Sequence, residues 1–347
     1  MENLITAIGL MSGTSCDGID ASIIKSDGGD KLDLIGDNFI PYEDKTKLKI
    51  RNLKEKIDNV SDLEVNNLEI INAEKEITLL HFKAINLLLE KFKIKKSEIN
   101  LVGLHGHTIF HNFKNKRTKQ LGDGKVLSKL TGLNVIYNFR ENDLKNGGQG
   151  APLVPIFHKL LRKKLQLKTP VIFVNIGGIS NLTYLDDNNE MISFDSGPGN
   201  FLIDKFLQLK SNGKIQFDKN GDIAIKGRVD KNILESYLKD PYYELLPPKS
   251  LDVNDFNLSS VRGINIENSI ATLSELTSQT IVSSMNFFSK KSKKIILCGG
   301  GRKNKYIYER IKQISNISTL NIDEYKINGD FVESQAFGYL AIRSFLK

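Results

Sequence analysis

Three glycine-rich turns, each directly after an apolar strand-like run, constrain the fold of this chain more than any other feature. The turns lie in "LITAIGLMSGTSCDG", "VIFVNIGGIS" and "KKIILCGGGRKN". Short apolar runs that end in glycine predict buried strands followed by tight turns. Stretches with apolar residues at helical spacing, such as "ENSIATLSELTSQTIVSSMNFFS", alternate with these strands. The alternation predicts an α/β fold.

The residues after the first turn alternate in polarity. Ile19, Ala21 and Ile23 are apolar, whereas Asp20 and Ser22 between them are polar. A period of two predicts a strand rather than a helix, so the first turn forms the tip of a hairpin. The stretch "ISNLTYLDD" follows the second turn in the same way, and "LDLIGDNFIPY" adds a further predicted strand.

Two helices are predicted together with their N-caps. Residues 62–92 have apolar positions at helical spacing, and Ser61 is placed to cap them. "MISFDSGPGNFLIDKFLQL" predicts a strand, a tight turn and a helix, with Asn200 as the N-cap.

The chain is long enough for two domains. It has 347 residues, and a fixed-period repeat or a flexible linker is not evident. The composition shifts near residues 137–145, where a strand gives way to a glycine-rich loop. We therefore expect residues 1–138, together with a C-terminal helix at about 332–347, to form one domain. Residues 139–331 would form the second domain, with the two sharing a cleft.

Composition argues against nucleic-acid and membrane partners. The net charge is +8, but only 9 of the 49 basic residues are Arg, and the Lys residues are scattered among acids. Nucleic-acid modules cluster their bases on one face. An apolar run of the roughly 20 residues that span a bilayer is lacking. A secretory signal is not evident, and two cysteines do not make a disulfide framework. These features predict a cytoplasmic protein.

The first turn is not a familiar phosphate loop. A Walker loop carries Lys and enters a helix, whereas "SGTSCDG" has no Lys and enters a strand. A Rossmann loop needs G-x-G-x-x-G before a helix. Backbone N–H groups of the two hairpin turns, with the hydroxyls of Ser12, Thr14 and Ser15, offer another way to hold phosphate oxygens. Asp17 and Asp20 suit Mg²⁺, directly or through water.

Two other uses of these motifs are less favoured. His105, His107 and His111 invite a zinc interpretation, but neither a cysteine nor an acid cluster completes a tetrahedral set. Cys16 invites a reactive-thiol interpretation, against which we expect a small packing residue.

Motifs along nearly the whole chain resemble the anhydro-N-acetylmuramic acid kinase family of the actin-like ATPase superfamily. In order, they are "MSGTSCDGID", "HGHTIFH", "QLGDG", "FRENDLKNGGQGAPLVP", "VNIGGISNLT", "FDSGPGN", "PPKS", "ATLSELT", "CGGGRKN" and "GDFVESQAF". The resemblance implies a two-domain actin-like ATPase (ribonuclease H-like) fold with an interdomain cleft, and a homodimer. It also implies an enzyme that opens the 1,6-anhydro bond of anhydro-N-acetylmuramic acid with ATP and water and phosphorylates O6. That reaction belongs to peptidoglycan recycling.

The resemblance and the turns together give the expected site. The catalytic base is Asp195, an acid at the end of a predicted strand, in the motif where the family has its base. ATP and its phosphates would contact Ser12, Gly13, Thr14, Ser15, Cys16, Asp17, Gly18, Ile19, Asp20, Gly177, Gly178, Asn181, Gly299, Gly300, Gly301 and Asn304, with Mg²⁺ at Asp17 and Asp20. The sugar would contact His105, Arg140, Asp143, Gln149, Gly150 and Glu333.

The sequence departs from the family pattern at three places. His107 stands where the family commonly has Gln, residues 251–253 replace the Thr-Gly-Arg that usually follows "PPKS", and Arg302 and Lys303 differ in the third glycine turn. These departures bear on substrate contacts and nucleotide affinity. Two alternatives therefore stay open, namely a kinase of another sugar with the same fold and a non-catalytic protein that nucleotide switches.

Overall fold

The computed structural model describes residues 4–13, 16–188, 190–251 and 255–347. The chain divides into two compact units. Unit 1 comprises Met1–Lys164 and Phe331–Lys347, and unit 2 comprises Leu165–Asp330.

Unit 1 is built on a mixed sheet with the strand order β3-β2-β1-β4-β5, and β6 also pairs with β4. The three first strands run antiparallel, whereas β1 pairs parallel with β4, and β4 with β6. The predicted hairpin and the predicted third strand are both confirmed. The strands are β1 (Ile5–Ser12), β2 (Gly18–Ser26), β3 (Leu32–Pro41), β4 (Leu101–Asn112), β5 (Arg117–Leu121) and β6 (Asn134–Ile136).

Unit 2 repeats this topology, with the strand order β11-β10-β7-β8-β9. Strands β7, β8 and β9 form an antiparallel meander, and β7 pairs parallel with β10, which pairs parallel with β11. The meander β1–β2–β3 thus corresponds to β7–β8–β9. The strands are β7 (Val171–Ile176), β8 (Ile179–Leu185), β9 (Met191–Pro198), β10 (Lys294–Cys298) and β11 (Ser318–Asn321).

Eleven α-helices cover these sheets in the part of the chain that is described. Those of unit 1 are α1 (Asp44–Glu55), α2 (Val60–Val65), α3 (Asn67–Phe92), α4 (Gly124–Thr131), α5 (Phe139–Lys145), α6 (Pro155–Lys164) and α11 (Val332–Phe345). Those of unit 2 are α7 (Phe201–Lys210), α8 (Lys231–Leu238), α9 (Ile266–Ser283) and α10 (Lys305–Ser315).

The α/β class expected from the sequence is confirmed, but the long predicted helix begins differently. It is split into α2 and α3, and Ser61 lies inside α2 rather than at its cap. The cap position is Asn59, whose backbone N–H donates to the Asp62 carboxylate at 2.7 Å. A carboxylate three residues after the cap satisfies a donor at the helix start, and the helix begins at Val60, two residues before the predicted start.

The C-terminal helix α11 packs closely on the sheet of unit 1. It contacts β1, β2 and β4. Gly9 of β1 permits this approach, because a Cβ there would clash with the backbone carbonyl of Ser334. The prediction that the last helix returns to the first domain is consistent with this packing.

The boundary between the units lies later than the predicted one. Residues 139–164 belong to unit 1, where α5 packs against β5 and α6 against α11. The expected break after residue 138 is therefore wrong, and the glycine-rich loop is an internal loop of unit 1. The chain re-enters unit 1 at Phe331, one residue before the expected boundary. Among the described residues, helices long and apolar enough to cross a membrane are absent.

Candidate active site

The first hairpin turn is tight and partly buried. The backbone N–H of Cys16 donates to the carbonyl of Gly13 at 3.1 Å, and Cys16 adopts a left-handed backbone with φ of 58°. Thr14 and Ser15, which we expected to hold phosphate, lie outside the described residues. Cys16 belongs to the core, and burial raises the pKa of its thiol to about 11. The thiol is thus protonated at neutral pH and acts as a packing residue, not a reactive nucleophile.

Ser12, the last residue of β1, links the two strands of this hairpin through its side chain. Its side chain is buried, and Oγ lies 2.8 Å from the carbonyl oxygen of Gly18, 2.7 Å from Tyr42 Oη and 3.0 Å from His107 Nδ1. Since the carbonyl can only accept, the single Ser12 proton goes to Gly18. Tyr42 and His107 must then both donate to Ser12 Oγ. Ser12 therefore holds the turn in shape, and its hydroxyl is already used within the protein.

The donor requirement assigns the proton on His107. Nδ1 carries the hydrogen, and burial lowers the pKa of His107 to about 3, so the ring is neutral. Tyr42 was missed by sequence reasoning, because it follows β3 without any motif around it. Its backbone N–H also donates to the carbonyl of Asp17 at 2.9 Å, which fastens the hairpin tip a second time.

The acids of the hairpin differ in exposure. The Asp17 side chain is exposed at the tip, and Asp20 is half-buried within β2 opposite Met11. Gly18 is buried, and the Ile19 side chain is fully enclosed in the core, so only backbone atoms of these two residues could meet a nucleotide.

Four of the six expected sugar contacts form one hydrogen-bond network in unit 1. His105 Nδ1 lies 2.8 Å from the carbonyl of Gly106 and must donate to it, so Nε2 accepts from Arg140 Nε at 2.8 Å. Arg140 Nη1 donates to the carbonyl of Gly150, whose N–H donates to Asp143 Oδ2 at 2.7 Å. Burial, followed by the charge of Arg140, lowers the pKa of His105 well below its usual value.

The remaining two sugar candidates lie close to this network in the fold. Gln149 is half-buried beside Gly150. Glu333 lies in the first turn of α11, one turn before Phe337, whose ring packs on His105 with centroids 4.4 Å apart. Residues four apart share a helix face, so Glu333 lies on the face turned toward His105.

The second hairpin turn is held by backbone hydrogen bonds. The carbonyl of Gly177 accepts from Asn200 N at 2.8 Å, and that of Gly178 accepts from Gly199 N at 2.9 Å and Phe201 N at 3.1 Å. A Cβ at Gly199 would clash with the Gly177 carbonyl oxygen. Asn200 precedes α7 as predicted, but its side chain makes no capping hydrogen bond.

Asp195 lies in β9, next to this second hairpin. It pairs across the sheet with Asn181 of β8 and is 7% exposed. Leu251 N donates to Asp195 Oδ2 at 2.9 Å, and Tyr242 Oη donates to the Asp195 carbonyl at 2.6 Å. The Leu251 N–H therefore constrains the orientation of the Asp195 carboxylate. Tyr242 and Leu251 were not identified from the sequence, because they lie in a short 3-10 helix and a loop without a recognisable motif.

The third glycine turn links β10 to a short 3-10 helix. Gly299 has φ of 74°, and its N–H donates to the carbonyl of Gly329 at 3.1 Å. Gly300 has open space where a Cβ would lie, whereas Gly301 packs against Ile176. Asn304 is buried as the N-cap of α10, with Oδ1 accepting from Ile307 N at 3.2 Å. Its side chain thus has a structural role.

One of the two departures in this turn supports the loop. Arg302 is 3% exposed and forms ion pairs with Asp323 at 2.5 Å and Asp330 at 2.6 Å. Its Nη1 also donates to the carbonyl of Gly299 at 2.9 Å. Lys303 pairs with Asp330. A further departure from the family pattern is at residues 251–253. The backbone N–H of Leu251 donates to the Asp195 carboxylate, and Asp252 and Val253 lie outside the described residues.

The described residues include no group of three or more His, Cys, Asp and Glu side chains that could hold a metal ion. His105 and His107 direct ring nitrogens to partners within the protein, which gives the zinc interpretation no support. A cation bound here would need additional oxygen ligands from water or a bound phosphate.

Comparisons with known proteins match nearly the whole chain to proteins of one description. A family model described as anhydro-N-acetylmuramic acid kinase matches residues 5–347. A protein of that description from Pelagibacter ubique (strain HTCC1062) is 43% identical, over 100% of this chain and 94% of the relative. Another from Brucella canis (strain ATCC 23365 / NCTC 10854 / RM-666) is 35% identical, over 99% and 93%.

Solved structures agree on the fold alone. The activator of the 2-hydroxyisocaproyl-CoA dehydratase from Clostridium difficile has a TM-score of 0.50 at 11% identity, covering 98% of this chain and 95% of its own. Component A of the Acidaminococcus fermentans (R)-2-hydroxyglutaryl-CoA dehydratase has a TM-score of 0.50 at 9% identity, covering 99% and 100%.

Proposed function

The chain belongs to the anhydro-N-acetylmuramic acid kinase family, and from that premise we propose that it converts 1,6-anhydro-N-acetylmuramic acid, ATP and water into N-acetylmuramic acid 6-phosphate and ADP. The match over residues 5–347 carries the proposal, because it includes Asp195 and all three glycine turns. The alternatives of another sugar or of a non-catalytic switch find no specific support.

The proposed reaction couples hydrolysis to phosphoryl transfer. The water oxygen forms a bond to C1 while the C1–O6 bond breaks, and O6 forms a bond to the γ-phosphorus of ATP as ADP departs. The water proton passes to a base. Transfer of this kind by a positioned carboxylate contributes about 10²–10⁴-fold to rate. The phosphoryl step needs positioning and charge neutralisation rather than a protein nucleophile.

Asp195 is the proposed base. Its carboxylate is buried, one oxygen accepts from Leu251 N–H, and its carbonyl is fixed by Tyr242. A carboxylate that the protein holds in a fixed orientation can accept the proton of water in a constant geometry.

The His105–Arg140–Asp143 network is proposed to bind the sugar. Arg140 is oriented by His105 and by the carbonyl of Gly150. Guanidinium groups suit carboxylates, and the lactyl group of the substrate is a carboxylate. Gln149, Gly150 and Glu333 would contribute contacts to amide and hydroxyl groups.

ATP is proposed to contact the three glycine turns, with Mg²⁺ near Asp17 and Asp20. Two carboxylates at one hairpin fit a cation that keeps several waters and binds substrate phosphates. When bound, the ion would neutralise charge on the phosphates. Ser12 would act indirectly, since its hydroxyl holds the turn.

The cellular setting is proposed from the family resemblance and the chemistry. The substrate is a cell-wall sugar, so the reaction would serve peptidoglycan recycling in the cytoplasm. A homodimer is proposed on the same resemblance.

Substrate preference tests the proposal. ADP release would be followed with anhydro-N-acetylmuramic acid and, separately, with open-ring N-acetylmuramic acid. We expect sugar-dependent ADP release with the anhydro sugar. Activity on the open sugar alone would replace the proposal with an ordinary sugar kinase, and an absence of sugar-dependent turnover would favour the non-catalytic alternative.

A further inference from the structure

Lys249 is a buried lysine that the proposed chemistry does not use. It is 5% exposed, and burial lowers the pKa of its ammonium. Among the described residues, no acidic side chain forms an ion pair with Lys249. Burying an ammonium without a counter-charge is costly unless other groups replace its water. The surroundings of Lys249 supply such groups.

Aromatic rings and carbonyls surround the ammonium. Nζ lies 4.6 Å from the ring centroid of Phe287, 4.7 Å from that of Tyr242 and 5.6 Å from that of Phe194. It donates to the carbonyls of Tyr242 at 3.1 Å and Tyr243 at 3.2 Å. Cation–π attraction strengthens where the cation is desolvated. The side chain thus ties residue 249 to the short helix Pro241–Glu244.

Asp195 is hydrogen-bonded to both of the segments that the Lys249 side chain links, residues 249–251 and the short helix Pro241–Glu244. The Asp195 backbone N–H donates to the Lys249 carbonyl at 3.1 Å, and Leu251 N donates to Asp195 Oδ2 at 2.9 Å. From the other end, Tyr242 Oη donates to the Asp195 carbonyl at 2.6 Å. The Lys249 ammonium therefore joins the two segments that fix the backbone and the carboxylate of Asp195.

We propose that Lys249 is a positioning residue for Asp195, acting through the Leu251 N–H that orients the carboxylate. This inference rests on the proposed function, in which Asp195 accepts the proton of water. Without the ammonium, the 249–251 segment loses its attachment to residues 242–243. The constraint that the Leu251 N–H places on the Asp195 carboxylate is then weakened, while the groups expected to bind ATP and sugar are unchanged.

A double-mutant cycle tests this route. Lys249→Met keeps the length and apolar stem but removes the charge, and Leu251→Pro removes the N–H donor. Each single variant is expected to lower kcat about 10- to 100-fold, the effect of losing one hydrogen bond to a charged group. KM for ATP and for the anhydro sugar should stay within about twofold, because these substitutions touch no proposed binding group. The double variant should be no slower than Leu251→Pro alone.

Lys294→Met is the matched control. Lys294 donates to Tyr325 Oη at 3.1 Å and lies 5.9 Å from the same ring, so it is also paired with an aromatic residue. Within the described part of the chain, Lys294 makes no hydrogen bond or ion pair with Asp195. We expect kcat to be unchanged in this variant.

Other outcomes overturn the inference. Unchanged kcat in Lys249→Met, or losses that multiply in the double variant, would show that Lys249 does not act through Leu251. Should Lys249→Met fail to fold, as judged by thermal melting, Lys249→Gln takes its place. A smaller loss of kcat and the same non-additivity with Leu251→Pro are then expected.

Asp195→Asn separates the positioning role of Lys249 from the proposed function. Turnover in Asp195→Asn would refute the proposed base, whereas an inactive Asp195→Asn beside a normal Lys249→Met refutes only the positioning role.

Discussion

The two hairpins β1–β2 and β7–β8 occupy the same place in a repeated strand topology, yet they are stabilised by different means. In the first, a buried side-chain network adds to the main-chain hydrogen bonds, because Ser12 Oγ lies within hydrogen-bond distance of Tyr42 and His107. The second depends on the main chain, because residues 199–201 donate to the carbonyls of Gly177 and Gly178. One topology can therefore carry two turns with different sensitivities to mutation.

The difference explains how the first hairpin tolerates a departure from the family. Ser12 needs an N–H donor at position 107, and neutral His107 supplies one from Nδ1. The amide of Gln, which the family resemblance leads one to expect at this position, also carries N–H donors. The chemical requirement is the same, although the residue differs.

Asp195→Asn should have the largest effect of any single change next to the second hairpin. The amide cannot accept the proton of water, so kcat should fall about 10²–10⁴-fold. Binding of ATP and of the sugar should persist, as measured by calorimetry. The exposed Asp222→Asn, in the same unit, is the control and should keep full activity. Near-normal turnover in Asp195→Asn would move the base elsewhere.

Gly199→Ala tests the backbone-built hairpin. The added methyl group would meet the Gly177 carbonyl, so the free energy of unfolding should fall by about 1–3 kcal/mol. Urea unfolding measures this change. Gly300→Ala is the matched control, because open space surrounds that position, and its unfolding curve should match the parent. Equal curves for all three proteins would show that the close contact at Gly199 is unimportant.

Ser12→Ala tests the side-chain-built hairpin. It leaves the buried donors of Tyr42 and His107 without an acceptor at Oγ, and a loss of about 1–3 kcal/mol in the free energy of unfolding is expected. KM for ATP should rise, because the turn loses its support. Tyr42→Phe removes one donor only and should cost less. A larger cost for Tyr42→Phe than for Ser12→Ala would contradict Ser12 as the centre of the network.

His107→Gln should have the smallest effect at neutral pH and a clear one in acid. The folded-state pKa of His107, about 3, lies below the usual 6.5, so the unfolded chain binds more protons between these values. His107 therefore costs stability as pH falls from about 6.5 toward 3, by about 1.4 kcal/mol per pH unit.

Urea titrations at pH 7 and pH 5 provide the comparison. His107→Gln should match the parent at pH 7 and lose less stability at pH 5. His81, His105 and His158 stay in both proteins, and since burial lowers the pKa of each, both proteins are expected to share a background loss of stability in acid. The same acid dependence in both would show that His107 is not neutral in the fold.

Sequence reasoning reached the glycine turns and the strands around them, because strand period and glycine placement are local signals. Asp195 as the base and the His105–Arg140 group as sugar contacts were expected from family resemblance, and they stay proposals. Sequence reasoning did not reach Tyr42, Tyr242 or Lys249, whose partners lie in loops or distant strands. The boundary after residue 138 was wrong because packing of α5 and α6, rather than composition, decides the division.

The central claim is that one site couples hydrolysis of the anhydro bond to phosphorylation of O6. Mass spectrometry of the sugar product formed in ¹⁸O-water tests it most directly. We predict one ¹⁸O atom at C1 and phosphate on O6 in the same molecule. A phosphorylated product without ¹⁸O at C1, or an opened sugar without phosphate, would contradict the coupled reaction.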